Sequence, residues 1–124
     1  MKKILMKVFR DETWKKDVLD SKQPVLAYFE LPGTPLCRKQ ERNIVAAEVG
    51  NKAVVGRVDV RKFPSLALRY GVGGVPTLLI FYKGILSRSF IGLIDPITLK
   101  DALGNLRRLE TIGQRLIPIS PARR

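Results

Sequence analysis

The clearest pattern in the chain is an unbroken apolar run, Pro24-Val25-Leu26-Ala27-Tyr28-Phe29, bounded by turn-forming residues on both sides. A run of that length without alternation predicts a strand buried on both faces. A shorter apolar segment, Ile4 to Phe9, predicts a strand ahead of it. Between the two, Asp11 stands as an N-cap for a helix whose apolar positions Trp14, Val18 and Leu19 share helical spacing. Ser21 to Pro24 ends that helix. After the central run, Leu31-Pro32-Gly33-Thr34-Pro35-Leu36-Cys37 is a loop feeding a second helix. Thr34 is its expected N-cap, worth about 1 kcal/mol, and Pro35 fits the first helical position, where its missing N–H is not needed. The helix is expected to reach about Val49, with Gly50-Asn51 ending it.

Val54, Val55, Val58 and Val60 mark a strand over 53–60, and a short helix follows from Phe63 to Tyr70, stopped by Gly71. Gly73-Gly74-Val75-Pro76 is a loop. Thr77 to Tyr82 and Ile85 to Ile91 are two strands joined by a hairpin turn at Lys83-Gly84, with Gly92 bending the end of the second. Asp95-Pro96 opens a last helix with apolar positions Leu99, Ala102, Leu103 and Leu106. The order β-α-β-α-β-α-β-β-α predicts an α/β fold with right-handed crossovers and a final antiparallel hairpin in the same sheet. Residues 1–109 are expected to form one domain. Residues 110–124, with Pro118, Pro121 and several arginines, form a basic C-terminal tail.

Composition narrows the chemistry. The 124 residues are 45% hydrophobic and 27% charged, enough apolar material for a core. A single cysteine rules out an internal disulfide, and with no histidine there is neither a mixed metal site nor an imidazole base. No metal or other cofactor is expected. The net charge of +12 favours acidic partners. Nucleic acid is the weaker expectation, because no basic run is interleaved with aromatics. No apolar stretch approaches the roughly 20 residues of a membrane span, and the start lacks the apolar core of a signal peptide, so a cytoplasmic location is expected.

Three stretches resemble the thioredoxin family. They are 24–29, then Val58-Asp59-Val60 with Pro64 and Tyr70-Gly71-Val72, then Val75-Pro76-Thr77 through Lys83-Gly84. The resemblance implies the thioredoxin fold, a central mixed five-stranded sheet flanked by four helices. It also implies a cis Val75–Pro76 bond beside the active-site loop, where the family presents backbone groups to an extended peptide.

The departures from the family pattern fall at one place. Where the family has Cys-x-x-Cys, the gap-free match gives Thr34-Pro35-Leu36-Cys37, a degenerate motif in which the attacking cysteine is Thr34 and only the resolving position, Cys37, is kept. The family's buried aspartate is Tyr28 here, its tryptophan before the motif is Gly33, and its third-strand lysine is Arg57. A hydroxyl is too weak an acid to replace a thiolate, and one sulfur cannot store two electrons as an internal disulfide. The expected function is therefore binding of a peptide or protein partner at the cis-proline groove, through Thr34, Pro35, Leu36, Gly74, Val75, Pro76 and Thr77. The alternative is a monothiol redox protein that uses Cys37 in cell redox homeostasis. Whether the chain is an enzyme of the thioredoxin disulfide-oxidoreductase type, its partner, and its oligomeric state stay open at the level of sequence.

Overall fold

The computed structural model describes residues 6–111, and side chains through residue 106. Five strands form one mixed sheet in the order β1-β3-β2-β4-β5. They are β1 (Lys7–Val8), β2 (Val25–Glu30), β3 (Val54–Asp59), β4 (Thr77–Tyr82) and β5 (Ile85–Ile91). β1, β3 and β2 are mutually parallel, whereas β4 is antiparallel to both β2 and β5. The three α-helices are α1 (Pro35–Ala47), α2 (Pro64–Arg69) and α3 (Pro96–Thr111). With the irregular first helix they make four. The α/β fold and the mixed sheet flanked by four helices are as the sequence predicts.

The apolar run of β2 is buried along its whole length. The strand period of two divides its residues between two cores. Leu26 and Tyr28 join Cys37, Ile44, Leu99 and Leu103 on one side. Val25, Ala27 and Phe29 join Phe9, Trp14, Val18 and Leu66 on the other. β4 is split the same way, with Leu78, Ile80 and Tyr82 facing the first core and Leu79 and Phe81 the second. Two-sided burial is thus why these strands read as continuous rather than alternating.

Several boundaries differ from the sequence reading, each for a physical reason. The first helix is a 3-10 turn (Asp11–Thr13) followed by a π-helical turn (Lys15–Leu19). Its cap position is Arg10, not Asp11. The Asp11 carboxylate instead accepts the Ser65 hydroxyl at 2.8 and 2.9 Å, tying the segment to α2. α1 ends earlier than Val49, because Glu48 itself takes the left-handed conformation (φ 52) and its N–H closes on Val45 O. Gly50-Asn51 is therefore not its terminator. The Lys83-Gly84 hairpin holds both residues at positive φ, 53 and 79, matching the strand twist. α3 is capped as expected: Asp95 accepts Thr98 N–H at 3.0 Å and Thr98 Oγ1–H at 2.7 Å. These bonds, the side-chain one foremost, hold its carboxyl below the usual range. α3 crosses the expected 109/110 boundary, and the tail from 112 onward, like Ile4 of the first strand, lies outside the described residues.

β3 carries Gly56, where β1 passes closest. A β-carbon there would overlap the ring of Phe9, itself fully buried. Gly56→Ala should therefore cost about 2 kcal/mol by overpacking. Gly50→Ala, where a β-carbon meets nothing, should change stability by a few tenths at most. Urea unfolding of both variants checks this, and equal midpoints would contradict it.

Candidate functional site at one end of the sheet

The strand registers bring four connecting segments to the same end of the sheet. β2 and β3 run parallel and finish together, Glu30 opposite Asp59. β4 starts beside them, Thr77 opposite Phe29, and β5 finishes there, Ile91 opposite Thr77. The segments 31–34, 60–63, 73–76 and 91–95 are therefore neighbours, although more than fifty residues separate the first from the last. Across this end they follow the order of strands β3, β2, β4, β5.

The sequence-predicted residues meet here, in two groups. Thr34, Pro35 and Leu36 open α1, with Leu36 54% exposed. Gly74, Val75, Pro76 and Thr77 form the facing loop, in which the Val75–Pro76 bond is cis. Gly92 N–H donates to Pro76 O at 2.9 Å, and Thr77 Oγ1–H donates to Gly74 O at 2.7 Å, so the loop is held at both ends. Val75 itself is half-buried against the core that contains Cys37. Among the described residues its N–H and C=O take no backbone partner.

Thr34 occupies the N-cap position of α1, with extended backbone (φ −79, ψ 148), but its side chain does not cap the helix. Its hydroxyl donates to Leu31 O at 2.9 Å, and its own N–H points to the same carbonyl at 3.3 Å. The hydroxyl thus closes the 31–34 turn from outside the helix, which corrects the expected cap and its contribution to helix stability. Cys37 is 2% exposed and reduced. Its carbonyl accepts the Tyr28 hydroxyl at 2.6 Å. Burial, with the Glu30 carboxylate adding to it, raises the Tyr28 phenol above its ordinary value.

Sequence reasoning identified Arg57 without its partners. They are Glu30, whose Oε2 lies 3.4 Å from Arg57 Nε, and Glu41, whose Oε1 lies 2.7 Å from Arg57 Nη2. The Arg57 guanidinium also faces the Tyr28 ring, 5.9 Å from its centroid. Arg57 Nε itself makes no hydrogen bond. The readable signal was a charged residue, Glu30, closing an otherwise buried strand in register with β3. Gln40 was also missed. Fully buried, its side-chain amide pairs with the backbone of Ile94: Oε1 accepts Ile94 N–H at 2.9 Å and Nε2 donates to Ile94 O at 3.3 Å. Asn43 donates to the same carbonyl at 3.0 Å. This double tie fixes the 91–95 segment beside the first turns of α1. A glutamine on an amphipathic helix gives no sign that it faces inward.

Glu30 carries a pH dependence. Burial raises its carboxyl above the ordinary value, and this outweighs the opposing pull of Arg57. The folded chain then holds a proton that the unfolded chain releases, so stability falls as pH climbs from the ordinary carboxylate value to the raised one. Glu30→Gln should flatten that slope in urea unfolding measured between about pH 4 and 8. An unchanged slope would assign the effect elsewhere.

No group of three or more His, Cys, Asp and Glu suited to a metal ion occurs among the described residues. No described helix is long and apolar enough to cross a membrane.

Comparison with known proteins agrees with this architecture. The family model described as Thioredoxin matches residues 5–105. The chain is 33% identical over 95 residues to thioredoxin 1 of Synechococcus elongatus, covering 75% of this chain and 89% of that protein. It is 32% identical over 95 residues to the chloroplastic M-type thioredoxin of Spinacia oleracea, where the match covers 75% of this chain but only 52% of the relative. Among solved structures, a mutant thioredoxin from Halobacterium salinarum NRC-1 superimposes with a TM-score of 0.72 at 30% identity, covering 91% of this chain and 93% of that one. With the family model matched over residues 5–105 and a relative 33% identical over 89% of its own length, the chain belongs to the thioredoxin family.

Proposed function

We propose that this thioredoxin-family chain holds an extended segment of a protein partner against the Gly74–Thr77 loop, and does not reduce disulfides as a dithiol. The carrying observation is the state of the two positions that would do redox chemistry. Thr34 presents a hydroxyl engaged with Leu31 O, and Cys37 keeps its sulfur in the core. Beside them, the backbone of Val75 stands unpaired among the described residues. Strand addition uses such groups: main-chain hydrogen bonds supply affinity and neighbouring side chains supply selectivity. Thr34, Pro35 and Leu36 form one wall of this site and Gly74, Val75, Pro76 and Thr77 the other. The reading includes a cytoplasmic location, in keeping with a chain that relies on no disulfide.

The competing reading is a monothiol protein that acts through Cys37 alone. Its support is position, since Cys37 is the one thiol of the chain and lies in the first turn of α1. Burial opposes it, because thiol exchange requires in-line approach of another sulfur.

Dithiothreitol-driven reduction of insulin separates the two readings. The wild type should be no faster than Cys37→Ala, and Cys37 should ignore an aromatic disulfide reagent until the protein is denatured. Strong turnover that disappears in Cys37→Ala would sink the binding reading. Rapid labelling of the native protein would count for the monothiol.

A further inference from the structure

Resting on that peptide-binding reading, we propose that the partner segment is acidic: it carries Asp or Glu about three residues from the position that pairs with Val75, with the carboxylate seated among Arg38, Arg61 and Lys62.

The charges at this end of the sheet are unevenly committed. The acids already have partners within the chain. Glu30 and Glu41 share Arg57, Asp59 Oδ1 accepts the Arg61 N–H at 2.9 Å, Asp11 takes the Ser65 hydroxyl, and Asp95 takes Thr98. Glu12, the remaining one, stands in the 3-10 turn two residues from Arg10. The cations of the 31–38 and 60–63 segments are not so committed. Arg38, Arg61 and Lys62 are exposed, and among the described residues no acidic side chain forms an ion pair with them. Arg38 is held over the 31–34 turn by a hydrogen bond from Nη2 to Gly33 O at 3.2 Å. Arg61 and Lys62 leave the sheet alongside that turn, because Val60 N–H donates to Glu30 O at 3.1 Å. Three cations without an ion-pair partner among the described residues therefore border one side of the turn, and the open backbone of Val75 lies on the other.

Strand spacing gives the register. β3 and β4 flank β2, so the line from Val75 to the exit of β3 crosses two inter-strand gaps of about 4.8 Å each, roughly 10 Å in all. An extended chain covers that distance in about three residues. The opposite wall is apolar. Leu36 is 54% exposed and Leu93 40%, and the Gln40 tie to Ile94 keeps them on adjacent segments. The site thus asks for an apolar side chain on one flank of the pairing residue and a carboxylate on the other.

A randomised ten-residue peptide library displayed on phage tests this with the whole chain as bait. Selected peptides should be enriched in Asp or Glu on one flank of an apolar core. A synthetic peptide from that pool should then bind roughly tenfold more tightly than its Asn/Gln counterpart at low salt, the sum of three exposed ion pairs. That ratio should fall toward one in about 1 M salt, and likewise in the Arg38→Ala/Arg61→Ala/Lys62→Ala variant. The three side chains are exposed, so an unchanged melting temperature certifies the variant's fold. Selected peptides with apolar cores but no acidic enrichment, or a ratio indifferent to the triple substitution, would overturn the acidic proposal and leave groove binding intact. Failure to enrich any peptide over a Leu36→Arg bait would overturn the groove reading itself, and this one with it.

Discussion

Trp14→Ala should cost about 4 kcal/mol of unfolding free energy. Trp14 is the chain's one tryptophan, 1% exposed, in the irregular helical segment between β1 and β2. Its ring meets four others: Phe9 at 5.8 Å, Phe29 at 6.3 Å, Tyr70 at 5.5 Å and Phe81 at 5.5 Å between centroids. Most of these contacts are edge-on, the arrangement that adds attraction beyond area. Its indole N–H donates to Tyr70 OH at 2.8 Å, which joins the first helix to the end of α2. Alanine would leave a cavity among four rings and remove the Tyr70 hydroxyl's indole donor at once. A 3-10 turn followed by a π turn has weak hydrogen-bond geometry of its own, so the segment depends on this packing. A loss of this size is a large part of the stability of an ordinary domain. Urea unfolding followed by far-UV circular dichroism reads it without tryptophan fluorescence. Trp14→Phe, which keeps most of the ring contacts, should lose less than half as much. A Trp14→Ala loss below about 1.5 kcal/mol would mean that the second core does not depend on this ring.

What the sequence disclosed follows the distance over which its signals act. β2, β4, β5 and the 83–84 hairpin were legible because apolar runs and a turn dipeptide are local. The start of α3 was legible because Asp95 and Pro96, an N-cap residue and an N1 proline, are adjacent in sequence. The first helix was legible as a helix but not as a 3-10 and π pair, since tertiary contacts of Trp14 and Asp11 set its winding. The end of α1 was misplaced because Glu48 adopts a conformation that composition assigns to glycine or asparagine. At the site, Thr34, Leu36, Val75 and Pro76 were found through their resemblance to a family. The direction of the Thr34 hydroxyl was not, because Leu31 O competes with the helix for it. Glu30, Glu41 and Gln40 were hidden for a common reason: each is defined by a partner more than ten residues away in sequence, and only sheet register or helix docking brings them together.

Thr34→Cys should confer the activity that the wild type is proposed to lack, raising insulin reduction by dithiothreitol at least about a hundredfold. The substitution changes one γ atom at the N-cap position of a 13-residue helix. There the helix field and the free N–H groups of the first turn lower a thiol's pKa. The introduced thiolate attacks one sulfur of the substrate disulfide and expels the other as thiolate. Cys37, three residues on, then attacks the resulting mixed disulfide, releases the second substrate thiol and closes an internal disulfide. Dithiothreitol supplies the two electrons that reopen it. The surroundings also predict which step is slow. Tyr28 offers no base to the second thiol, because its phenol is raised by burial and donates to the Cys37 carbonyl. The Cys37 sulfur is also buried. The mixed disulfide with substrate should therefore accumulate and be visible by mass spectrometry during turnover, and it should persist when Thr34→Cys is combined with Cys37→Ser. Thr34→Ser, which keeps a hydroxyl, should gain nothing. If Thr34→Cys were as inactive as the wild type while its new thiol was reactive, then position 34 would not be what separates this chain from a disulfide reductase, and the surroundings at Tyr28 and Gly33 would have to account for the difference.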